Sequence, residues 1–414
     1  MNPASNSSGR SARWIGWVCG LLLCASAINY MDRQALASAA VRISHQFQLS
    51  QQQYGNLEWA FGWSFAIGSL AFGILVDRVS VRWVYPAVLL LWSAVGFATA
   101  SVETYQGLLI CRGLLGLFEA GHWPCAVKTT QLMLSPEHRS MGNGVLQSGT
   151  SFGAILIPQL MRVFLTDDPG SWRPAFQAVG ALGIVWVIAW FWLVRENDLR
   201  LPAASTQGER GTDSFWGAIW SRRMAIILVV IALINTAWQT LRAWLPKFLQ
   251  EGKGYSEAQT LNFTSLFYLA SDVGCLGAGA LTVWLVRRHW TVHQSRAGVF
   301  LGCALLAGFS TGVLFLSKGW MLGGCLLLVG AGALGVFPIY HALTQDISPR
   351  HQGKVTGLGS VAAWLFAPPI QALFGRWIDQ TRNFDLGIAI AGWLPMVAAL
   401  VLLLFWERRS PKVL

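Results

Sequence analysis

Charged side chains are scarce in this sequence. Asp, Glu, Lys and Arg make up 12% of its 414 residues, about half the share of a soluble domain. With 54% hydrophobic residues and a mean hydropathy of +0.47, that shortage excludes a water-soluble globule and leaves an integral membrane protein. Motifs for nucleotide-driven or metal-assisted chemistry are lacking too. No G-x-x-x-x-G-K-[ST] phosphate loop and no H-E-x-x-H metal spacing occurs. The reading is therefore not an enzyme, with no cofactor expected. The seven cysteines all fall in apolar segments, as small packing residues do, and form no disulfide or zinc framework. No cleavable signal is read at the polar N-terminus.

What the chain does have is a succession of apolar runs near the 20-residue length that crosses a bilayer. Twelve are read, near 14–38, 53–77, 83–102, 106–134, 138–165 and 173–195, then 222–250, 258–287, 296–316, 319–347, 352–378 and 384–407. The fold expected is an all-α membrane protein of two six-helix halves, residues 1–195 and 222–414. A polar linker over 196–221 joins them. The net charge of +11 would suggest nucleic acid in a soluble protein, but here it has a topological reading. Arg13, Arg78, Arg82, Arg195, Arg222, Arg287 and Arg288 fall on one side, against a handful such as Arg173 and Lys253 on the other. Basic loops stay cytoplasmic, so both termini and the linker are expected in the cytoplasm of a cell with an inner membrane. A monomer that binds no nucleic acid is expected.

The few charges inside the spans are the candidates for function, because an ionisable group at membrane depth is expensive and faces a cavity or a partner. Asp32 and Arg33 are neighbours in the first span and point about 100° apart around a helix, so they are read as separate tools. Arg33 is the anion clamp, since a guanidinium fork matches a carboxylate. Asp32 is a proton site. In the fourth span Arg112 and Glu119 lie two turns apart on one face with His122, and they are read as a coupling switch. Desolvation pulls a carboxyl toward its neutral form, while the neighbouring arginine opposes that.

Several motifs carry a resemblance. Gly73-Ile-Leu75-Val-Asp77-Arg78-Val-Ser80-Val-Arg82 resembles the G-x-L-x-D-R-x-G-R-R/K signature of the major facilitator superfamily, with Ser80 in place of glycine. Asp77, Arg78 and Arg82 are the gating candidates, with Asp77 expected to meet a helix N-terminus or an arginine. Asn29-Tyr30-Met31-Asp32-Arg33, the Arg112–Pro124 stretch, Ser135-Pro-Glu-His-Arg139 and Trp172-Arg-Pro-Ala-Phe176 resemble the anion:cation symporter family within it. The resemblance implies a major facilitator fold, anion recognition at Arg33 and Arg112 with Tyr30 beside them, and proton coupling at Asp32 and Glu119. His122 and Trp123 stand where the family's sugar-acid carriers have small residues.

Further wall residues come from other spans. Gln147 and Thr150 in the fifth, Asn235, Trp238 and Arg242 in the seventh, Tyr268 and Asp272 in the eighth, Tyr340 in the tenth and Trp364 in the eleventh combine aromatic and polar groups suited to a sugar acid. The function expected is proton-driven uptake of a small organic anion, a hexuronate or aldonate, by alternating access. The alternatives are an exchanger or exporter of another organic anion, or a sensor without transport.

Overall fold

A computed structural model describes residues 11–134, 139–199, 221–345, 347 and 352–406. All regular structure among the described residues is helical. The first set comprises α1 (Ala12–Ser38), α2 (Ala40–Gln46), α3 (Gln51–Arg78), α4 (Val81–Thr99), α5 (Tyr105–Glu119), α6 (His122–Met133), α7 (Arg139–Phe164) and α8 (Arg173–Leu193). The second comprises α9 (Arg222–Lys247), α10 (Glu257–Arg287), α11 (Val292–Gly308), α12 (Trp320–Gly335), α13 (Phe337–Gln345), α14 (Gln352–Thr381) and α15 (Asp385–Phe405). Most of the linker expected over 196–221 lies outside the described residues, as does the Ser135 motif up to residue 138.

Local chemistry sets the helix starts. Ser50 with Gln53, and Ser256 with Gln259, form reciprocal capping boxes that open α3 and α10. Thr104 caps α5 by accepting from the Gly107 amide at 3.1 Å.

Ten of the helical stretches are long and apolar enough to cross a membrane. The fourth expected span is instead broken at Ala120–Gly121 into α5 and α6. The fifth is α7, whose 26 residues reach about 39 Å at 1.5 Å per residue but carry many polar side chains. The tenth is likewise divided, at Val336 between α12 and α13.

Within the first set α1 packs on α7, α3 on α5 and α4 on α8; within the second, α10 packs on α12 and α9 on α14 and α15. Between the sets α3 meets α14, α7 meets α10 and α1 meets α9. Small residues make the closest of these approaches. A Cβ at Gly55 would collide with the Gln371 backbone on α14, and one at Gly116 with the Phe61 backbone on α3.

Polar bonds between the sets cluster at one end. Arg42 grips the Glu257 carboxylate with two donors, Nε to Oε1 and Nη2 to Oε2, both at 2.7 Å, and this bond raises the Arg42 pKa above its ordinary value. Asp379 at the end of α14 accepts from the Gln51 and Gln52 amides of α3, each at 2.8 Å. Lys247 donates to Ser44 at 2.7 Å and Tyr54 to the Ala243 carbonyl at 2.8 Å. At the opposite end, Lys128 pairs with Asp77 at 2.9 Å and Arg82 donates to the Val194 carbonyl at 3.1 Å, both within the first set.

Candidate functional site

Six ionisable side chains, Asp32 and Arg33 (α1), Glu58 (α3), Arg112 and Glu119 (α5) and Arg242 (α9), are buried, and Glu58 joins the two sets through Arg112 and Arg242. α1 and α5 supply two members each and α3 and α9 one each, beside further buried polar residues such as Asn29 on α1 and Asn235 and Gln239 on α9. The break after Glu119 and the glycine contact at Gly116 let α5 lie against α3. That turns Arg112 and Glu119 inward rather than toward lipid.

The partners differ from those the sequence predicts. Arg112 and Glu119 do not bond each other. Two helical turns separate their backbones by about 10 Å, and each finds a nearer partner on another helix. Glu119 Oε2 accepts from Arg33 Nε at 3.0 Å and lies in an ion pair 3.0 Å from its Nη2. Arg112 Nη2 donates to Glu58 Oε1 at 2.8 Å, and Arg242 Nη2 donates to Glu58 Oε2. Glu58 therefore bridges an arginine of each set. Removing one member of such a buried pair leaves a bare charge, at about 3–5 kcal/mol.

Asp32 and Arg33 do part ways as expected. The Asp32 carboxylate turns to α4, where it fills the space a Cβ on Gly96 would occupy. Its buried Oδ2 has no hydrogen-bond partner among the described residues. Arg33 Nη2 also donates to Asn29 Oδ1 at 3.2 Å. Its guanidinium carbon lies 5.0 Å from the Tyr30 ring centre, 4.9 Å from Phe65 and 5.7 Å from Trp364. Phe61 is shared: Arg33 sits 5.3 Å and Arg112 4.6 Å from its ring centre. These rings exclude water and add cation–π attraction.

Not every donor is used. Among the described residues, Arg112 Nε and Nη1, Arg242 Nη1 and Asn29 Nδ2 are buried with no hydrogen-bond partner, as is the acceptor Glu119 Oε1. Arg242 Nε is occupied by Gln239 Oε1 at 2.6 Å. Three buried guanidinium nitrogens without partners, beside a single bridging carboxylate, can accept one more anion.

The wall residues divide. Trp364 packs on Phe65 at 4.7 Å beside Arg33. Trp238 stacks on Phe267 at 6.2 Å and meets the edge of Tyr268 at 6.0 Å. Asn235 donates to the Ala363 carbonyl at 2.8 Å, tying α9 to α14. Thr150 donates to the Gln147 carbonyl one turn earlier at 2.7 Å. Tyr340 reaches toward Gly359 on α14 and meets His341 edge-on at 5.1 Å.

His122 is not in the charged cluster. It is fully buried, with Nε2 against Ser26 Oγ and Nδ1 against Tyr85 Oη, both at 3.0 Å. Both ring nitrogens are used, so it clamps α1, α4 and α6 together. The gating residues also differ from expectation. Asp77 pairs with Lys128 of α6, not with a helix of the second set. Arg78 is exposed. Arg82 lies over Trp83 at 5.0 Å and also accepts, through its carbonyl, from Trp190 at 3.0 Å.

Sequence reasoning missed Glu58 as a site residue, although an acid at the sixth residue of the second span was a readable signal. It noted Arg242 only for its spacing.

A bundle of membrane-crossing helices with a buried, charge-balanced cluster between two sets defines a carrier rather than an enzyme. The chain belongs to the Major Facilitator Superfamily, which residues 22–367 match, and it is a multi-pass membrane transporter. Among its relatives, the galacturonate transporter of Dickeya chrysanthemi is 27% identical, over 74% of this chain and 93% of that protein. The hexuronate transporter of Escherichia coli K12 is 24% identical, over 95% and 94%. The probable galactarate/D-glucarate transporter of Escherichia coli K12 is 23% identical, over 97% and 95%. A bacterial homologue of the human lysosomal transporter Spinster, solved inward-facing and unoccupied, superposes with a TM-score of 0.75 at 16% identity, covering 95% of each chain.

Proposed function

We propose that this protein takes up a monoanionic sugar acid, a hexuronate or aldonate, together with a proton, across the bacterial inner membrane. The observation that carries the reading is the cluster itself: three arginines against three carboxyl groups, with guanidinium nitrogens left over beside Glu58. A bare anion entering this neutral, buried place would leave an uncompensated negative charge, which is strongly unfavourable. A proton on Glu119 removes that charge and releases Arg33, so anion and proton favour each other.

The two sets act as six-span halves, 1–195 and 222–414, joined through the cytoplasmic linker, with both termini cytoplasmic. The packing pairs support this. Counting each span and its equivalent six spans later, the contact of second with eleventh (α3–α14) becomes that of eighth with fifth (α10–α7), as expected of two parallel repeats around a midplane site. With the basic end in the cytoplasm, the bonds of Arg42 and Asp379 close the outer face, and the carrier is inward-facing. The sugar-acid assignment rests on the relatives' substrates and on the rings of Phe65, Trp238 and Trp364, which suit the apolar face of a hydroxylated chain.

Counterflow in liposomes loaded with galacturonate, galactonate or an unrelated aromatic acid tests the reading. Exchange of labelled galacturonate is expected with the first two alone. No exchange with any sugar acid would refute it.

A further inference from the structure

Glu58 is the one acid of the cluster that neither motif nor family resemblance singled out, and its position is unusual. It stands on α3 of the first half, bridges Arg112 on α5 and Arg242 on α9 of the second, and is buried with both. Glu58 cancels one of the two positive charges around it. The remaining charge is matched by three guanidinium nitrogens, Arg112 Nε and Nη1 and Arg242 Nη1, that are buried and unpartnered among the described residues.

We propose that Glu58 is a specificity-determining residue that fixes the charge of the accepted sugar acid at minus one. The inference rests on the coupling role proposed above for Glu119. Whatever the protonation of Asp32, which lies against α4 with its Oδ2 unpartnered among the described residues, Glu58 lowers the charge of the cluster by one. With one proton on Asp32 or Glu119 the six groups sum to +1, which a monoanion neutralises. A dianion with the same carbon skeleton would leave a buried net charge of −1, and unpaired buried charge is what membrane interiors reject. Specificity here is a difference of affinities set by the repulsive element, Glu58, as much as by the arginines.

The fixed carboxylate also orients its neighbours. It takes Nη2 of both arginines, while Gln239 takes Nε of Arg242 at 2.6 Å. What remains for a ligand is Arg112 Nε and Nη1, on opposite sides of its guanidinium, and the Nη1 of Arg242. A substrate carboxylate held there would be gripped by both halves, and Glu58 holds these groups in place before it arrives.

The test is the ratio of affinities for galactonate and galactarate, which differ by one terminal carboxylate. It is measured by competition against labelled galacturonate on purified full-length protein, at the acid end of the range in which the wild type binds. Wild type is expected to favour galactonate. Glu58→Gln raises the cluster by one charge and is expected to move the ratio at least tenfold toward galactarate, about 1.4 kcal/mol, whereas Glu58→Asp keeps the charge and the preference. The double variant Glu58→Gln with Arg242→Gln restores the balance and is expected to restore the galactonate preference. It leaves one bare arginine, Arg112, where the single variant leaves two, so it serves if the single variant fails to fold. Glu58→Gln weakening both acids in equal proportion, or a double variant without galactonate preference, would overturn the proposal. Wild type binding neither acid would instead overturn the sugar-acid reading beneath it.

Discussion

Replacing Glu119 with glutamine separates the proton from the anion. Glu119 Oε2 holds Nε and Nη2 of Arg33 at 3.0 Å, and neither side chain is more than 4% exposed. Glutamine keeps the shape but removes the charge, so Arg33 is left buried without a counter-ion, at about 3–5 kcal/mol. An incoming carboxylate supplies that counter-ion. Recovery of even a third of the cost strengthens binding by about 1.4 kcal/mol, or about tenfold. The pH dependence changes as well. In the wild type, raising the pH returns Glu119 to its charged form, which reclaims Arg33. Affinity then falls by up to a factor of about ten per pH unit once one proton must be taken up with each anion. Glu119→Gln is fixed in the neutral form and loses this slope. The assay is equilibrium binding of galacturonate to purified protein across a pH series, with counterflow alongside. Tighter, pH-insensitive binding with exchange retained and concentrative uptake lost is the expected result. A variant that keeps the wild-type slope would refute the coupling role of Glu119.

Other perturbations follow from the same geometry. Asp379→Asn weakens a charge-assisted cap on α3, a loss of about 1 kcal/mol, and is expected to speed thiol labelling of a single cysteine placed at the outer end of α14 in a variant without the seven native cysteines; unchanged labelling would remove Asp379 from the latch. His122→Phe leaves Ser26 and Tyr85 without their partner, so a loss of about 1–3 kcal/mol should appear as a lower melting temperature with the pH slope of binding intact; a lost slope at unchanged stability would return His122 to the proton path. Gly116→Ala drives a Cβ into the Phe61 backbone, and overpacking of this kind costs about 1–3 kcal/mol; it should separate α5 from α3 and weaken substrate binding, whereas Gly113→Ala, with only ordinary contact to Ser64, should not.

The membrane fold was legible because charge is so rare that every interruption of an apolar run stands out. The divergence of Asp32 from Arg33 was legible for a similar reason, since 100° per residue is fixed by helix geometry whatever surrounds it. Pairing was not legible. Which carboxylate meets Arg112 depends on how closely α3 approaches α5, and that is set by Gly116 against the Phe61 backbone, a contact between residues far apart in sequence. His122 illustrates the same limit. Its spacing from Glu119 put both near one face, but the chain breaks at Ala120–Gly121, and the imidazole turns to Ser26 on α1 and Tyr85 on α4. The break itself had a local cue in Gly121, a poor helix former, followed by Pro124 in the first turn of the next helix. Asp77 likewise carried the right motif, yet its partner in this conformation is Lys128, because the end of the molecule where it sits is not the one where the bonds between the two sets of helices cluster.

The central claim is that anion and proton move together through one charged cluster. Purified protein in liposomes with an imposed inward proton gradient, and labelled galacturonate outside, tests it most directly. The account predicts transient accumulation above the equilibrium level, abolished by a protonophore and by Glu119→Gln. Galacturonate uptake that reaches the same level with and without the gradient would contradict it.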